Sequence, residues 1–151
     1  MVRVYLVQHG ESKPKEEDPE RRLTEKGVEE TEKVANVLSS MGVKVAKIFH
    51  SGKARAKMTA EILGKKLGVA DIIEAEGLNP LDDPTNWFEK LSKIEEDVML
   101  VGHLPHLSKL TSKLLGVEDK EVVAFSYSGV LCLEKVDGWK IAWFIKPENI
   151  K

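Results

Sequence analysis

The sequence predicts an α/β fold: a three-layer αβα sandwich built on a mostly parallel central sheet with an antiparallel C-terminal edge. Three observations support this. Short apolar runs rich in β-branched residues, at positions 2–7, 45–49, 71–75 and 97–101, read as strands. Helical patterns fall between or after them, three of them stopped by Gly42, Gly68 and Gly116. Beyond Lys120 the pattern changes to strands without helices. Strand–helix alternation implies a parallel sheet covered on both faces, and the strand-only tail supplies the antiparallel edge.

Residues 2–7 form a buried strand, followed by a polar loop through Arg22 that carries Pro14 and Pro19. Thr24 is placed to cap a helix whose apolar face is Val28, Val34, Val37, Leu38 and Met41. After the strand at 45–49, a second helix is expected over 53–67. A short strand at 71–75 precedes a loop with Pro80 and Pro84 and a helix over 86–94. The strand at 97–101 leads into a helix over 105–115, with Pro105 in a first turn that has no N–H to lose. Residues 122–127, 130–136 and 140–145 read as antiparallel strands, the last two joined at Asp137-Gly138. No repeat, low-complexity tract or linker interrupts the chain, so one domain over residues 1–151 is expected.

Composition narrows the class. Of the 151 residues, 42% are apolar and 32% charged, which suits a folded globular chain. The net charge of −2 argues against a general nucleic-acid or membrane binder. No run approaches the roughly 20 apolar residues of a membrane span. The N-terminus enters a strand directly, without the apolar core and cleavage site of a signal peptide. The single cysteine, Cys132, lies between Leu131 and Leu133 and reads as a buried core residue. A cytoplasmic protein is the simplest reading.

In open parallel sheets, ligands gather outside the carboxyl ends of the strands. Three strands here end on polar clusters: Gln8-His9-Gly10-Glu11-Ser12, His50-Ser51-Gly52-Lys53-Ala54-Arg55 and Gly102-His103-Leu104-Pro105-His106. Taken singly, His9 reads as a structural or surface histidine, Arg55 as a solvated helix residue and His103 as a turn residue. Taken together on neighbouring strands, they suit a phosphoryl group. A neutral imidazole can attack phosphorus, and a guanidinium fork holds two of the oxygens on which negative charge spreads. A protonated His103 would add a donor. His50 and His106 are expected to be structural or peripheral. The four histidines form no His-x-x-x-His pair, and no acidic cluster flanks them, so no metal is expected. The absence of a Gly-x-Ser-x-Gly elbow, a phosphate-binding glycine–lysine loop and a dinucleotide fingerprint leaves no cofactor expected.

These segments resemble the histidine phosphatase superfamily, the phosphoglycerate-mutase-like fold, and in size the small phosphohistidine phosphatases of the SixA type. The Arg-His-Gly hallmark is matched, with one change, by Gln8-His9-Gly10. Leu23-Thr24-Glu25-Lys26-Gly27 matches the Leu-Thr-x-x-Gly segment. Ser51 through Ala60 matches the Ser-x-x-x-Arg-Ala-x-x-Thr-Ala run, and Val101-Gly102-His103-Leu104-Pro105 the Val-Gly-His-x-Pro segment. The resemblance implies that His9 is the phosphorylated nucleophile and that Arg55 and His103 bind phosphoryl oxygens. It also implies that an arginine before Leu-Thr reaches the pocket: Arg21 by loop position, with Arg22 as the adjacent alternative. Gln8, Arg21 and Ser12 complete the expected substrate-binding set. The substrate implied is phosphorylated, a phosphohistidine-bearing signalling protein being the SixA-type expectation.

Gln8 departs from the family, because it replaces a charged phosphate donor with a neutral amide. Two outcomes follow: a slower or differently specific enzyme, or a phospho-ligand binding module that has lost turnover. The enzyme is the expectation. A general acid stays unassigned among Glu76, Asp82 and Asp83 of the middle section, with Glu76 as the candidate.

Overall fold

A computed structural model describes residues 1–150; Lys151, the last residue of the expected domain, lies outside them. Six strands form one sheet in the order β3-β2-β4-β1-β5-β6. These are β1 (Val2–Gln8), β2 (Lys47–His50), β3 (Ile72–Glu74), β4 (Val98–Gly102), β5 (Val130–Lys135) and β6 (Trp139–Ile145). Strands β3, β2, β4 and β1 pair in parallel, while β5 and β6 add antiparallel. The expected architecture is therefore observed, with the antiparallel edge on the C-terminal side.

The alternation of side chains along the strands builds two cores. Tyr5, Val7, Met99, Val101 and Cys132 face α1 (Glu25–Ser40) and α2 (Ala54–Leu67). Val4, Leu6, Val98, Leu100, Leu131 and Leu133 face the other way, with α3 (Thr85–Lys93) and α4 (His106–Leu115). Helices thus cover both faces, which is why β1 and β4 are apolar almost throughout. Gly68 and Gly116 end α2 and α4 at φ +70°, in the left-handed region. Asp137 and Gly138 turn the β5–β6 hairpin at φ +50° and +98°. Among the described residues, no helix is long and apolar enough to cross a membrane.

Two expectations are corrected. Residues 122–127 are not a strand and do not join the six-stranded sheet, in which β5 is flanked by β1 and β6. Its apolar residues Val122, Val123 and Phe125 instead anchor an irregular segment on the second core. The buried stripe of α1 is Gly27, Thr31, Val34, Ala35 and Leu38, and Met41 is exposed. The stripe is rotated because Gly27 and Thr31 press against the loop that follows β1, and a buried glycine and threonine leave no mark in an apolar pattern.

Candidate active site

The chain leaves β1 toward β2 on one side and leaves β4 toward β5 on the other. The neighbouring ends of β1 and β4 are therefore a topological switch point, where a crevice opens. His9 follows β1 and His103 follows β4, and their ring centroids lie 4.9 Å apart. Arg55, in the first turn of α2 beyond β2, acts electrostatically on both imidazoles. The three separate segments converge on one spot.

Contacts made by glycines and threonines hold the loop that carries His9 there. A Cβ on Gly10 would meet Thr31 Oγ1 at 2.9 Å and Ser128 Oγ at 3.1 Å. The Gly10 N–H donates to Thr59 Oγ1 at 2.9 Å, and that hydroxyl donates to the Arg55 carbonyl at 2.8 Å, tying the His9 loop to the Arg55 helix. Thr24 caps α1 through the Gly27 N–H at 2.9 Å and donates to the Glu11 carboxylate at 2.9 Å. Gly27 lies so close to the Glu11 backbone that a Cβ would sit 2.2 Å from its carbonyl oxygen. Gly27→Ala is therefore expected to destabilise the protein by about 2–4 kcal/mol, since neither neighbour can yield without moving backbone. A denaturant titration checks this.

The protonation of His9 follows from its partner. Its Nδ1 lies 2.8 Å from the Gly10 carbonyl oxygen, which can only accept, so Nδ1 carries the proton and Nε2 keeps its lone pair. Burial, reinforced by the positive charges of Arg55 and Arg21, lowers the His9 pKa to about 4. Burial also lowers that of His103 to about 3, with His9 and Arg55 adding to the effect. Both rings are neutral at pH 7. The His103 Nε2 pairs with Ser51 Oγ at 2.7 Å.

The unfolded chain binds protons on these histidines near the ordinary pKa of about 6.5, whereas the folded chain does so only near 4 and 3. In that window the unfolded state carries more protons. Stability is thus expected to hold above about pH 6.5 and to fall by a few kcal/mol as pH drops toward 4. Unfolding midpoints measured from pH 7 to pH 4 test this, and added phosphate should reduce the slope.

Three buried polar atoms beside His9 lack partners: Arg55 Nε, His103 Nδ1 and Gln8 Oε1. The Arg55 Nε–H, and His103 Nδ1 when it carries a proton, are donors that are costly unless an acceptor such as an oxyanion arrives. Gln8 Oε1 is itself an acceptor, and the Gln8 amide can serve an anion only through its NH2 group. Arg21 adopts φ +52°, and its guanidinium donates to Lys13 O and Ser12 Oγ, each at 3.2 Å. Its charge acts on His9 and Arg55. Arg22 instead pairs with Asp18 at 3.0 Å and is 55% exposed. Of the two arginines, Arg21 turns to the pocket, and Ser12 serves as its brace.

The remaining candidates fall outside this cluster. His50 Nδ1 accepts from the Gly52 N–H at 3.0 Å. His106 is fully buried, with neither ring nitrogen paired, within electrostatic reach of Asp82 and Asp83. Glu76, Asp82 and Asp83 line a cleft of about 620 Å³ that reaches Ser51. There, the Asp82 and Asp83 carboxylates accept from the Asn79 and Thr85 N–H groups, which orders the loop. Cys132 is buried in β5, where burial raises its thiol pKa to about 11. Among the described residues, no three His, Cys, Asp or Glu side chains are grouped to hold a metal ion. Sequence reasoning gave no role to Ser51 and Thr59, although both lie within the matched Ser51–Ala60 run. It missed Tyr127, whose segment reads as a strand, and Ser128, which follows that segment.

Fold and site together define a phosphoryl-handling α/β protein. The family model of the histidine phosphatase superfamily (branch 1) matches residues 4–82, and the chain belongs to that superfamily. It is a histidine phosphatase by class. Phosphohistidine phosphatase SixA of Escherichia coli (strain K12) is 24% identical over 156 residues, covering 99% of this chain and 97% of that protein. The structure of the protein histidine phosphatase SixA complexed with tungstate superimposes with a TM-score of 0.87 at 23% identity, covering 99% of each chain. Phosphoserine phosphatase from Entamoeba histolytica, in complex with 3-phosphoglyceric acid, gives 0.73 at 16% identity over 95% of this chain and 96% of its own. The shared fold thus spans proteins with different substrates.

Proposed function

We propose that the protein hydrolyses a phosphorylated substrate in two steps through a phosphohistidine on His9, with a phosphohistidine-bearing signalling protein as the natural substrate. The observation that carries this reading is the state of His9. Its Nδ1–H is committed to the Gly10 carbonyl, its Nε2 is unprotonated, and Arg55, Arg21 and His103 surround it. Nε2 attacks phosphorus as the bond to the leaving oxygen or nitrogen breaks, and the leaving atom takes up a proton. Water then attacks phosphorus and gives up a proton, the N–P bond breaks with its electron pair returning to Nε2, and inorganic phosphate departs. Arg55 and Arg21 hold the equatorial oxygens, and Gln8 contributes a neutral amide. An entering dianion favours protonation of His103, which then adds a donor. The similarity to SixA supports phosphohistidine as substrate. The reading takes residues 1–151 as one cytoplasmic domain with Glu76 as the candidate acid.

Gln8 favours a second reading, a phospho-ligand binding module with little turnover, because the charged donor of the family hallmark is missing there. Incubation with p-nitrophenyl phosphate and with a phosphohistidine peptide separates the two. Turnover of either supports the enzyme; tight phosphate binding with neither turned over supports the module.

A further inference from the structure

We propose that the ring of Tyr127 forms the leaving-group wall of the pocket and selects phosphoryl groups carried on a flat ring, imidazole or aryl, over those carried on an aliphatic hydroxyl. This rests on the phosphoryl site at His9 and names the side of that site that reads the substrate. The Tyr127 ring centroid lies 5.7 Å from that of His9, tilted by 43°. Tyr127 is 43% exposed as a residue, so it packs on His9 while part of it stays open to an incoming group. Tyr127 also lies within electrostatic range of the Arg55 guanidinium. The leaving atom stands opposite Nε2 across phosphorus. A ring beside the imidazole and within range of the arginine therefore borders the space that a leaving group crosses.

The backbone fixes this placement at a cost. Ser128, a non-glycine residue, is held at φ +62° and is 1% exposed. Its N–H donates to Gln8 O at 3.0 Å and to His9 O at 3.3 Å, and its hydroxyl pairs with Thr31 at 2.7 Å. The Gly129 N–H closes the turn onto Ser126 O at 2.9 Å. Left-handed backbone at a residue other than glycine persists where the surroundings over-determine it, commonly at functional sites. Here it ties Tyr127 directly to the backbone of the nucleophile. An aromatic face accepts another flat ring by offset or tilted stacking, a contact that an aliphatic chain does not reproduce.

Calorimetric titration with phenylphosphonate and methylphosphonate tests the proposal without requiring turnover. The native protein should prefer the phenyl compound by about tenfold, the scale of a stacking contact. Tyr127→Phe should keep that preference, and Tyr127→Ala should bring the ratio of affinities to within about twofold of one. A ratio that survives in Tyr127→Ala, or an equal loss of both ligands with the ratio unchanged, would overturn the assignment. Phosphopeptide hydrolysis is scored separately. An intact phenyl preference without hydrolysis would defeat the phosphatase reading while sustaining the role of Tyr127. Hydrolysis without a phenyl preference would defeat only the inference.

Discussion

His9→Ala is expected to lower turnover by four orders of magnitude or more and to abolish any acid-labile phosphoprotein. Removing the nucleophile of a covalent mechanism typically costs about that much, because the residual rate rests on binding and electrostatics alone. The fold should survive. The ring caps the end of β1 rather than filling either apolar core, and the cluster keeps its ties through Gly10–Thr59 and Thr31–Ser128. Phosphate binding should persist through Arg55 and Arg21. A rapid-quench assay with a labelled phosphopeptide measures both quantities. Substantial turnover in this variant would move the nucleophile elsewhere.

Gln8→Arg is expected to raise the rate roughly a hundredfold, the reverse of losing one preorganised charged donor. Gln8 ends β1 beside His9 and is largely buried, and its Oε1 has no partner. A third guanidinium there would stand beside Arg55 and Arg21. Their mutual repulsion should make the unliganded variant less stable, and phosphate should restore the difference. Steady-state kinetics on the same phosphopeptide, with thermal unfolding with and without phosphate, test both effects. An unchanged rate would mean that the native amide is adequate.

Much of this architecture is legible in the sequence because the two parallel strands at the centre, β1 and β4, are buried on both faces and read as unbroken apolar runs. Helix ends were legible where glycine adopts the left-handed conformation, at Gly68 and Gly116. The segment at 122–127 misled because packing on a core and pairing in a sheet favour the same residues, and here its apolar side chains pack on the second core instead of joining the sheet. In the site, the strand-end rule brought His9, Arg55 and His103 together before any coordinates. Loop position favoured Arg21 over Arg22, but the physical reason, Asp18 capturing the Arg22 side chain, was not legible. Tyr127 carried no signal either, because its role depends on a φ of +62° at Ser128 that no local preference of serine announces.

The matched motifs also acquire physical reasons. Thr59 links the Gly10 amide to the Arg55 carbonyl, and Gly27 admits the Glu11 backbone at a distance no Cβ tolerates. These residues hold His9 and Arg55 in fixed relation to one another, which is what preorganisation of the proposed phosphoryl site requires.

The most direct test is a crystal structure with vanadate bound. The account predicts His9 Nε2 in line with the metal, with Arg55 and Arg21 on its equatorial oxygens and the His9 Nδ1–H still on the Gly10 carbonyl. Vanadate lodged away from His9, or a ring turned so that Nδ1 faces the anion, would contradict it.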